Sequence, residues 1–119
     1  MIDKAIVQDY ASHVQAAANE RLAKRYEKHE NIEAPHILVS IEYGRRFARI
    51  VEEWDNGQRM VHAFVDMTNG MVVKAAGWKA PQKGKYGLAY RYDLTDPTSR
   101  ALCYERCGQY GYLYEGANK

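Results

Sequence analysis

A basic and aromatic segment between Phe64 and Tyr92 carries the residue types best suited to binding chemistry. It contains five lysine or arginine side chains, and no acidic residue lies between Asp66 and Asp93. Aromatic rings interleave with these cations, which suits a nucleotide or nucleic acid, because cations meet phosphate and rings stack on bases. The residues expected to bind such a ligand are Lys74, Trp78, Lys79, Lys83, Lys85, Tyr86, Tyr90 and Arg91. The alternative is a solvated loop whose lysines maintain solubility and whose rings cover the core.

His62 and Asp66 are the side chains best suited to acid–base catalysis. Their spacing places both on one strand face, about 13 Å apart at the usual rise, which is too far for direct contact. With Lys74 across the hairpin they could form a buried polar cluster, but we expect Asp66 to cap the following turn and His62 to pair with a neighbour. No phosphate-loop, GxSxG or HExxH motif is present. The sequence therefore predicts no catalytic residue and no cofactor, and an enzyme is the less favoured class.

The two cysteines, Cys103 and Cys107, lie in a segment with a helical pattern. Side chains on one helix face are poorly placed for a disulfide, and no CxxC pair or histidine motif completes a metal site. We therefore predict reduced, buried thiols and no metal site. His13, near the apolar edge of the first helix, is predicted to be a packing residue rather than a ligand.

Four arginines precede the basic segment, and two readings of them remain open at this stage. They lie on adjacent predicted strands, near three glutamates, and we expect cross-strand charge pairs on a solvated face. Alternatively, the arginines extend the basic segment into a groove. Strand register decides between the two readings. The residues concerned are Arg45, Arg46, Arg49 and Arg59, with Glu42, Glu52 and Glu53.

The elements that must position these residues follow from the apolar pattern, which predicts an α+β fold. A long N-terminal helix would pack on a four- or five-stranded antiparallel meander, followed by a short C-terminal helix and a tyrosine-rich tail. The single domain, 1–119, would hold the helix in 1–30, the sheet in 36–76, the basic loop in 77–92 and the C-terminal part in 93–119. Within these ranges we predict helices at 3–29 and 99–107, and strands at 36–43, 45–54, 58–66, 71–76 and 90–94.

Turn and cap residues fix the boundaries of these elements. Asp55-Asn56-Gly57 and Asn69-Gly70 are hairpin signals, so neighbouring strands should run antiparallel. Asp3 is the expected cap of the first helix, and Asp96 with Pro97 marks the start of the last one. The tail alternates Tyr110, Tyr112 and Tyr114, which predicts a strand at a sheet edge in this molecule or a neighbour.

Composition indicates a soluble globular protein. The chain has 119 residues, is 46% hydrophobic and carries a net charge of +2. No apolar run reaches the ~18 residues of a membrane span, and the N-terminal residues lack an apolar signal core, which predicts a cytosolic protein without a membrane partner. The first helix should overhang so small a sheet and leave Ala16, Ala17, Leu22 or Tyr26 partly uncovered. We therefore predict a homo-oligomer, most simply a two-fold dimer.

The run VHAFVDMTNGMVVKAAGWKAP, Val61 to Pro81, resembles a family of small proteins of unassigned function from tailed-bacteriophage genomes. The family pattern is a V-H-x-F-V-D strand, a glycine turn, a V-x-K-A-A strand and W-K-A-P before a basic segment. The matching residues are His62, Phe64, Asp66, Asn69, Gly70, Lys74, Trp78, Lys79, Ala80 and Pro81. The resemblance implies a phage origin and action in the cytoplasm of the infected host, without implying an activity.

Two departures from this pattern concern charge. Met71 stands where the family carries an acidic residue, and Lys85-Tyr86-Gly87 stands where it ends its basic segment with Arg-Gly. The second departure removes a bidentate guanidinium from that point.

Two functions from different classes follow. The first is a small phage binding protein whose basic loop engages nucleic acid or a nucleotide. The second is a phage-encoded inhibitor or interaction protein that binds a host enzyme or defence factor, with exposed tyrosines as its contact residues.

Overall fold

A computed structural model describes residues 1–85, 87–109 and 111–114. It has a long N-terminal helix, a five-stranded antiparallel sheet and a short C-terminal helix, which confirms the predicted α+β fold. A two-stranded hairpin lies inside the predicted basic loop. The elements are α1 Lys4–Tyr26, β1 Ile37–Tyr43, β2 Phe47–Trp54, β3 Arg59–Asp66, β4 Met71–Val73, β5 Lys83–Gly84, β6 Gly87–Leu88, β7 Tyr90–Asp93 and α2 Pro97–Arg106.

Helix α1 begins where the sequence predicts. The Asp3 carboxylate accepts a hydrogen bond from the Ala5 N–H at 2.9 Å, which satisfies one of the free donors of the first turn. The helix ends at Tyr26 rather than His29, because the residues after Tyr26 are charged or polar and exposed, and no apolar side chain continues the buried stripe. That stripe consists of Val7, Tyr10, Ala11, Val14, Ala18 and Leu22.

The large sheet has the order β1-β2-β3-β4-β7, with every pair antiparallel. Gly57 and Gly70, in the two predicted hairpin turns, have positive φ angles of 85° and 78°, which side chains disfavour. Strand β2 begins at Phe47, later than predicted, because a Gly44–Phe47 backbone hydrogen bond closes the preceding turn. Strand β4 ends at Val73, earlier than predicted, because pairing with β3 stops there. The backbone of Lys74, the next residue, bonds to Gln82 and Ala89 instead.

A β-bulge interrupts β3 at His62. Ile50 pairs with Ala63, whereas the next residue, Val51, pairs with Val61, so His62 is the extra residue. A bulge adds one residue to the strand and breaks the alternation of faces. His62 and Asp66 therefore lie on opposite faces of the sheet, and the sequence-based expectation of a shared face is wrong.

The sheet has two dissimilar faces. The helix face packs against α1, α2 and residues 112 and 113, and it carries the main core, with Ala48, Ile50, Ala63, Val65, Val72 and Tyr92. The loop face is the opposite side, which Trp78, Lys79 and Pro81 contact. It carries Arg49, Phe64 and Asp66 by alternation with the core residues.

The outer edge of β1 is covered by α1. Asn19 donates to the Ile37 carbonyl at 3.0 Å and accepts from the Ile37 N–H at 2.8 Å, and Gln15 accepts from the Val39 N–H at 2.8 Å. Two amide side chains therefore take the place of a neighbouring strand. This arrangement protects an edge that would otherwise offer its backbone to another chain.

The C-terminal segment does not form the predicted strand. Residues 111–114 make a turn, closed by a hydrogen bond from the Tyr114 N–H to the Gly111 carbonyl at 2.9 Å. Tyr112 and Leu113 insert into the main core. Burial of these two side chains between α1, α2 and β7 outweighs the backbone hydrogen bonds that another strand would form. Tyr110 and 115–119 lie outside the described residues.

The predicted overhang of α1 holds only in part. Ala16 is exposed, and Ala17 and Tyr26 are half-buried, but Leu22 is buried against Ile37 and its neighbours. The chain after α1 returns through residues 27–36 to β1, and this brings the start of the sheet under the last turns of the helix.

Candidate functional site

Seven of the eight residues predicted to bind a ligand lie in the described ranges, and these seven do not converge on one place. Lys74 donates to the Gln82 amide oxygen at 2.8 Å, and its ammonium lies 4.8 Å from the Tyr114 ring centroid. Arg91 donates from Nε to the Leu113 carbonyl at 2.6 Å. These two cations therefore hold the C-terminal segment against the sheet.

Lys83 and Lys85 lie on the small β5–β6 hairpin, and both are exposed. Neither is among the residues that line the cleft beside Lys79. Tyr86 lies outside the described residues. The hairpin therefore separates these lysines from the rest of the predicted set.

Trp78 and Lys79 are the part of the basic segment that reaches the arginines of β2 and β3. The guanidinium carbons of Arg49 and Arg59 lie 4.9 and 5.1 Å from the Trp78 ring centroid, and Arg49 Nε donates to the Trp78 carbonyl at 2.8 Å. The indole is 37% exposed. Trp78 thus contacts the protein's own cations, and its role as a platform for a base stays a prediction.

Glu42 ties these two arginines together. Its carboxylate accepts from Arg49 Nη1 and Arg59 Nη2, each at 2.8 Å. The hydrogen bonds from Arg59 and Arg49 lower the pKa of Glu42. Arg49 and Arg59 therefore form the charge pair with a glutamate that the first reading expects, whereas Arg46 pairs with Asp66.

Asp66 is a fully buried carboxylate at the other side of the same region. Its Oδ1 accepts from the Thr68 N–H and hydroxyl at 3.0 and 2.6 Å, which confirms the predicted turn cap. Its Oδ2 accepts from Arg46 Nη2 at 3.0 Å and from the Tyr90 hydroxyl at 2.7 Å. Burial opposes ionisation, but the bonds from Arg46, Thr68 and Tyr90 lower the pKa of Asp66 to about 2. Tyr90 is therefore a positioning residue for Asp66 and Arg46.

A cleft of 370 Å³ opens between the β1–β2 turn and the segment that contains Lys79. Four cations line it, and two phenylalanines form its apolar wall. Glu42 is the one carboxylate among the residues that line it. We name this site the arginine cleft and define it by Arg45, Arg46, Arg49, Lys79, Phe47 and Phe64.

Aromatic rings support two of the guanidinium groups. The Arg46 guanidinium carbon lies 5.0 Å from the Phe47 centroid, and that of Arg49 lies 5.8 Å from the Phe64 centroid. The two rings meet edge to face at 6.3 Å and 77°. Cations held against ring faces and paired to carboxylates have few alternative positions, so Arg46 and Arg49 are preorganised.

The donors that remain in the arginine cleft decide what it can bind. Arg46 uses Nε and Nη2 on Asp66, and Arg49 uses Nε and Nη1 on Trp78 and Glu42. Within residues 1–85, 87–109 and 111–114, this leaves Arg46 Nη1 and Arg49 Nη2 without a partner. In the same ranges Arg45 and Lys79 make no ion pair or hydrogen bond. The cleft therefore offers unused cationic donors, which an anion with several oxygens can accept.

The helix face holds a separate buried polar network around His62. The Tyr10 and Tyr112 hydroxyls lie 2.6 Å apart, and His62 Nε2 bonds to the Tyr112 hydroxyl. Glu52 lies 3.8 Å from His62 Nδ1. Burial raises the pKa of Tyr10 and of Tyr112 well above the usual value. Both tyrosines are less than a tenth exposed, so the network fixes the C-terminal segment against the core.

The cysteines and His13 lie near this network. Cys103 and Cys107 are buried free thiols, as predicted, and burial raises the pKa of Cys103 to about 12. His13 stacks on Tyr104 with centroids 3.9 Å apart, so it packs as expected. Among the described residues, no group of three or more histidine, cysteine or acidic side chains is placed to hold a metal.

The sequence matches the family of unknown function (DUF7717) over residues 2–115. The chain belongs to this family. The match extends well beyond the Val61–Pro81 run and includes the strands that carry the arginine cleft. No curated protein and no solved structure matches the chain. In the part of the chain that the structure describes, neither helix has the length and apolar character needed to cross a membrane.

Sequence reasoning identified Lys79 and kept a groove of arginines as an alternative, of which Arg45, Arg46 and Arg49 line the cleft, but it missed the aromatic side of the site. Phe47 lies two residues before Arg49 on strand β2, and Phe64 pairs with Arg49 from strand β3. The available signal was the run Arg45-Arg46-Phe47-Ala48-Arg49, in which cations and a ring repeat at strand spacing.

Proposed function

We propose that this protein binds an anionic ligand, a nucleotide or nucleic acid, in the arginine cleft. The observation that supports this most directly is the set of unused donors on Arg45, Arg46, Arg49 and Lys79, which surround one cleft. Binding costs less when the binding groups are already fixed, and the partners of Arg46 and Arg49 fix them before a ligand arrives. Arg45 and Lys79 are exposed and can close on the ligand.

The proposed site, the arginine cleft, differs from the set of eight residues predicted from the sequence. Lys79 remains a contact residue, and Trp78 becomes a wall that holds Arg49. Lys74 and Arg91 contact the C-terminal segment, and Lys83 and Lys85 lie on the hairpin, so these four are not part of the proposed site.

The test is affinity for nucleotides and single strands at low ionic strength, followed by a salt titration. The double variant Arg45→Ala/Lys79→Ala should weaken binding by about tenfold or more, because charge-assisted hydrogen bonds contribute roughly 1.5–3 kcal/mol each. The matched control is Lys28→Ala/Lys83→Ala, which removes the same charge from exposed sites outside the cleft. Equal losses in both variants, or no binding at any ionic strength, would refute the proposal.

The biological setting is also a proposal. The resemblance of Val61–Pro81 to tailed-phage proteins supports a phage origin and a site of action in the cytoplasm of the infected host. A survey of the genes that flank members of this family tests the origin, and fractionation of cells that express the tagged chain tests the location. Members encoded outside any phage or prophage region would contradict the first part.

An interaction with a host protein is the second candidate. It is favoured by large apolar side chains that remain exposed on the sheet, namely Leu38 at 62% and Met60 at 44%. A pull-down from host lysate after nuclease treatment tests it, with Leu38→Ser as the variant that should lose the partner.

The predicted homo-oligomer stays a prediction, and sedimentation at micromolar concentration checks it against the 13.7 kDa monomer.

A further inference from the structure

We infer that the arginine cleft takes a discrete phosphomonoester of mononucleotide size, rather than a nucleic-acid strand. This inference rests on the proposed function and narrows its ligand class. Three features of the described residues carry it: the position of the unused donors, the carboxylate at the edge of the cleft, and the course of the remaining cations.

The unused donors lie around a single small cleft. Its volume of 370 Å³ is at the lower end of the roughly 300–1,000 Å³ of small-molecule sites. Arg46 Nη1 and Arg49 Nη2 are held in place, and Arg45 and Lys79 are free to adapt among the described residues. A terminal phosphate carries up to two negative charges and three exposed oxygens, which matches such a set of donors.

Glu42 limits how far an anionic ligand bound at the unused donors can extend across the sheet. It lines the cleft, and its carboxylate is held by Arg49 and Arg59. A strand that passed from Arg49 towards Arg59 would bring its next phosphate against this carboxylate. One carboxylate shared by two arginines leaves the three groups with a net positive charge, but Glu42 already occupies Arg49 Nη1 and Arg59 Nη2, so that phosphate would have to compete with it for those donors. The cleft therefore favours a ligand whose charge ends at one phosphate.

The other cations of the basic segment do not continue the site. Lys74, Lys83, Lys85 and Arg91 do not line the cleft. Lys74 and Arg91 are occupied by Gln82 and by the Leu113 carbonyl. Proteins that bind single strands without sequence preference use a charged groove that follows the backbone, together with open stacking rings. Here the other described cations of the basic segment lie outside the cleft, and Trp78 contacts two arginines.

The experiment compares three kinds of probe with the intact chain by calorimetry: inorganic phosphate, each nucleoside 5′-monophosphate, and an oligonucleotide of about 12 nucleotides without a terminal phosphate. We expect at least one monophosphate to bind with 1:1 stoichiometry and at least tenfold tighter than the oligonucleotide. If the oligonucleotide binds tighter than every monophosphate, with a log–log salt slope steeper than about −2, the inference is overturned while anion binding stands. If no probe binds, the proposed function fails as well.

Glu42→Gln tests the carboxylate itself, and Glu53→Gln is the matched control on the same face outside the cleft. Glu42→Gln should raise affinity for the oligonucleotide at least fivefold and reduce the preference for the monophosphate. An equal change in both variants would contradict the role of Glu42. Should Glu42→Gln not fold, the comparison of probes on the unmodified chain still decides the inference.

Discussion

Arg46 Nη2 lies 3.0 Å from Asp66 Oδ2, and the two side chains differ sharply in exposure, at 52% for Arg46 and 0% for Asp66. The arginine therefore connects a buried charge to the surface. Because Asp66 also caps the β3–β4 turn through Thr68, one carboxylate holds together a turn, strand β7 through Tyr90, and one wall of the arginine cleft.

Asp66→Asn should destabilise the fold by about 2–4 kcal/mol, because a buried charge partner and several charge-assisted hydrogen bonds are lost together. Urea denaturation measures the loss. Glu53→Gln is the control, since Glu53 is exposed. Its free energy of unfolding should change by less than about 0.5 kcal/mol. Equal midpoints for the two variants would show that the hydrogen bonds of Asp66 do not stabilise the fold.

Acid should weaken the fold through the same residue. The folded-state pKa of Asp66, about 2, lies below the unfolded value of about 3.9. The bonded carboxylate therefore contributes its full stabilisation above about pH 4 and loses it progressively as the pH falls towards 2. Denaturation midpoints between pH 5 and 2 should fall less steeply for Asp66→Asn than for the unmodified chain. Parallel curves would contradict this account.

Tyr112→Phe should cost about 1–3 kcal/mol, because it leaves the buried Tyr10 hydroxyl and the His62 ring nitrogen without their shared partner. Adding Tyr10→Phe removes the stranded hydroxyl, so the double variant should lose less than the sum of the single losses. Denaturant unfolding of the four proteins in this cycle gives the coupling energy. Strict additivity would mean that the two hydroxyls do not act as a pair.

Asn19→Ala should expose the backbone of β1 at Ile37 and lower stability by about 1–2 kcal/mol. Light scattering should also show faster aggregation, because the uncovered edge can pair with another chain. Ser12→Ala is the control, since Ser12 lines the same groove between α1 and β1 but is exposed. Comparable aggregation of both variants would count against an edge-protection role for Asn19.

The sequence contained most of the local structure, because caps and turns act over a few residues. Asp3, Asp96 and the glycines of the two hairpins were recognisable for that reason. The bulge at His62 was not, since nothing in a regular apolar alternation reveals one additional residue in a strand.

Which residues form the site depends on contacts between segments that are distant in the sequence. Trp78 meets Arg49 and Arg59 only after the loop crosses the sheet, and this contact between a ring and two cations cannot be predicted from either segment alone. The tyrosine alternation in the tail predicted a strand, but burial of Tyr112 in the core outweighed backbone pairing. Lys79 was the predicted residue that also contributes an unused charge to the cleft.

The bond between the Tyr10 and Tyr112 hydroxyls joins residues 102 positions apart in the chain. Closing so long a loop costs entropy before any contact compensates for it, so this junction should form after the folding transition state. Tyr112→Phe should then accelerate unfolding and leave the folding rate almost unchanged, with a φ-value near zero. The C-terminal segment would thus govern how long the folded molecule survives, and not how quickly it is reached.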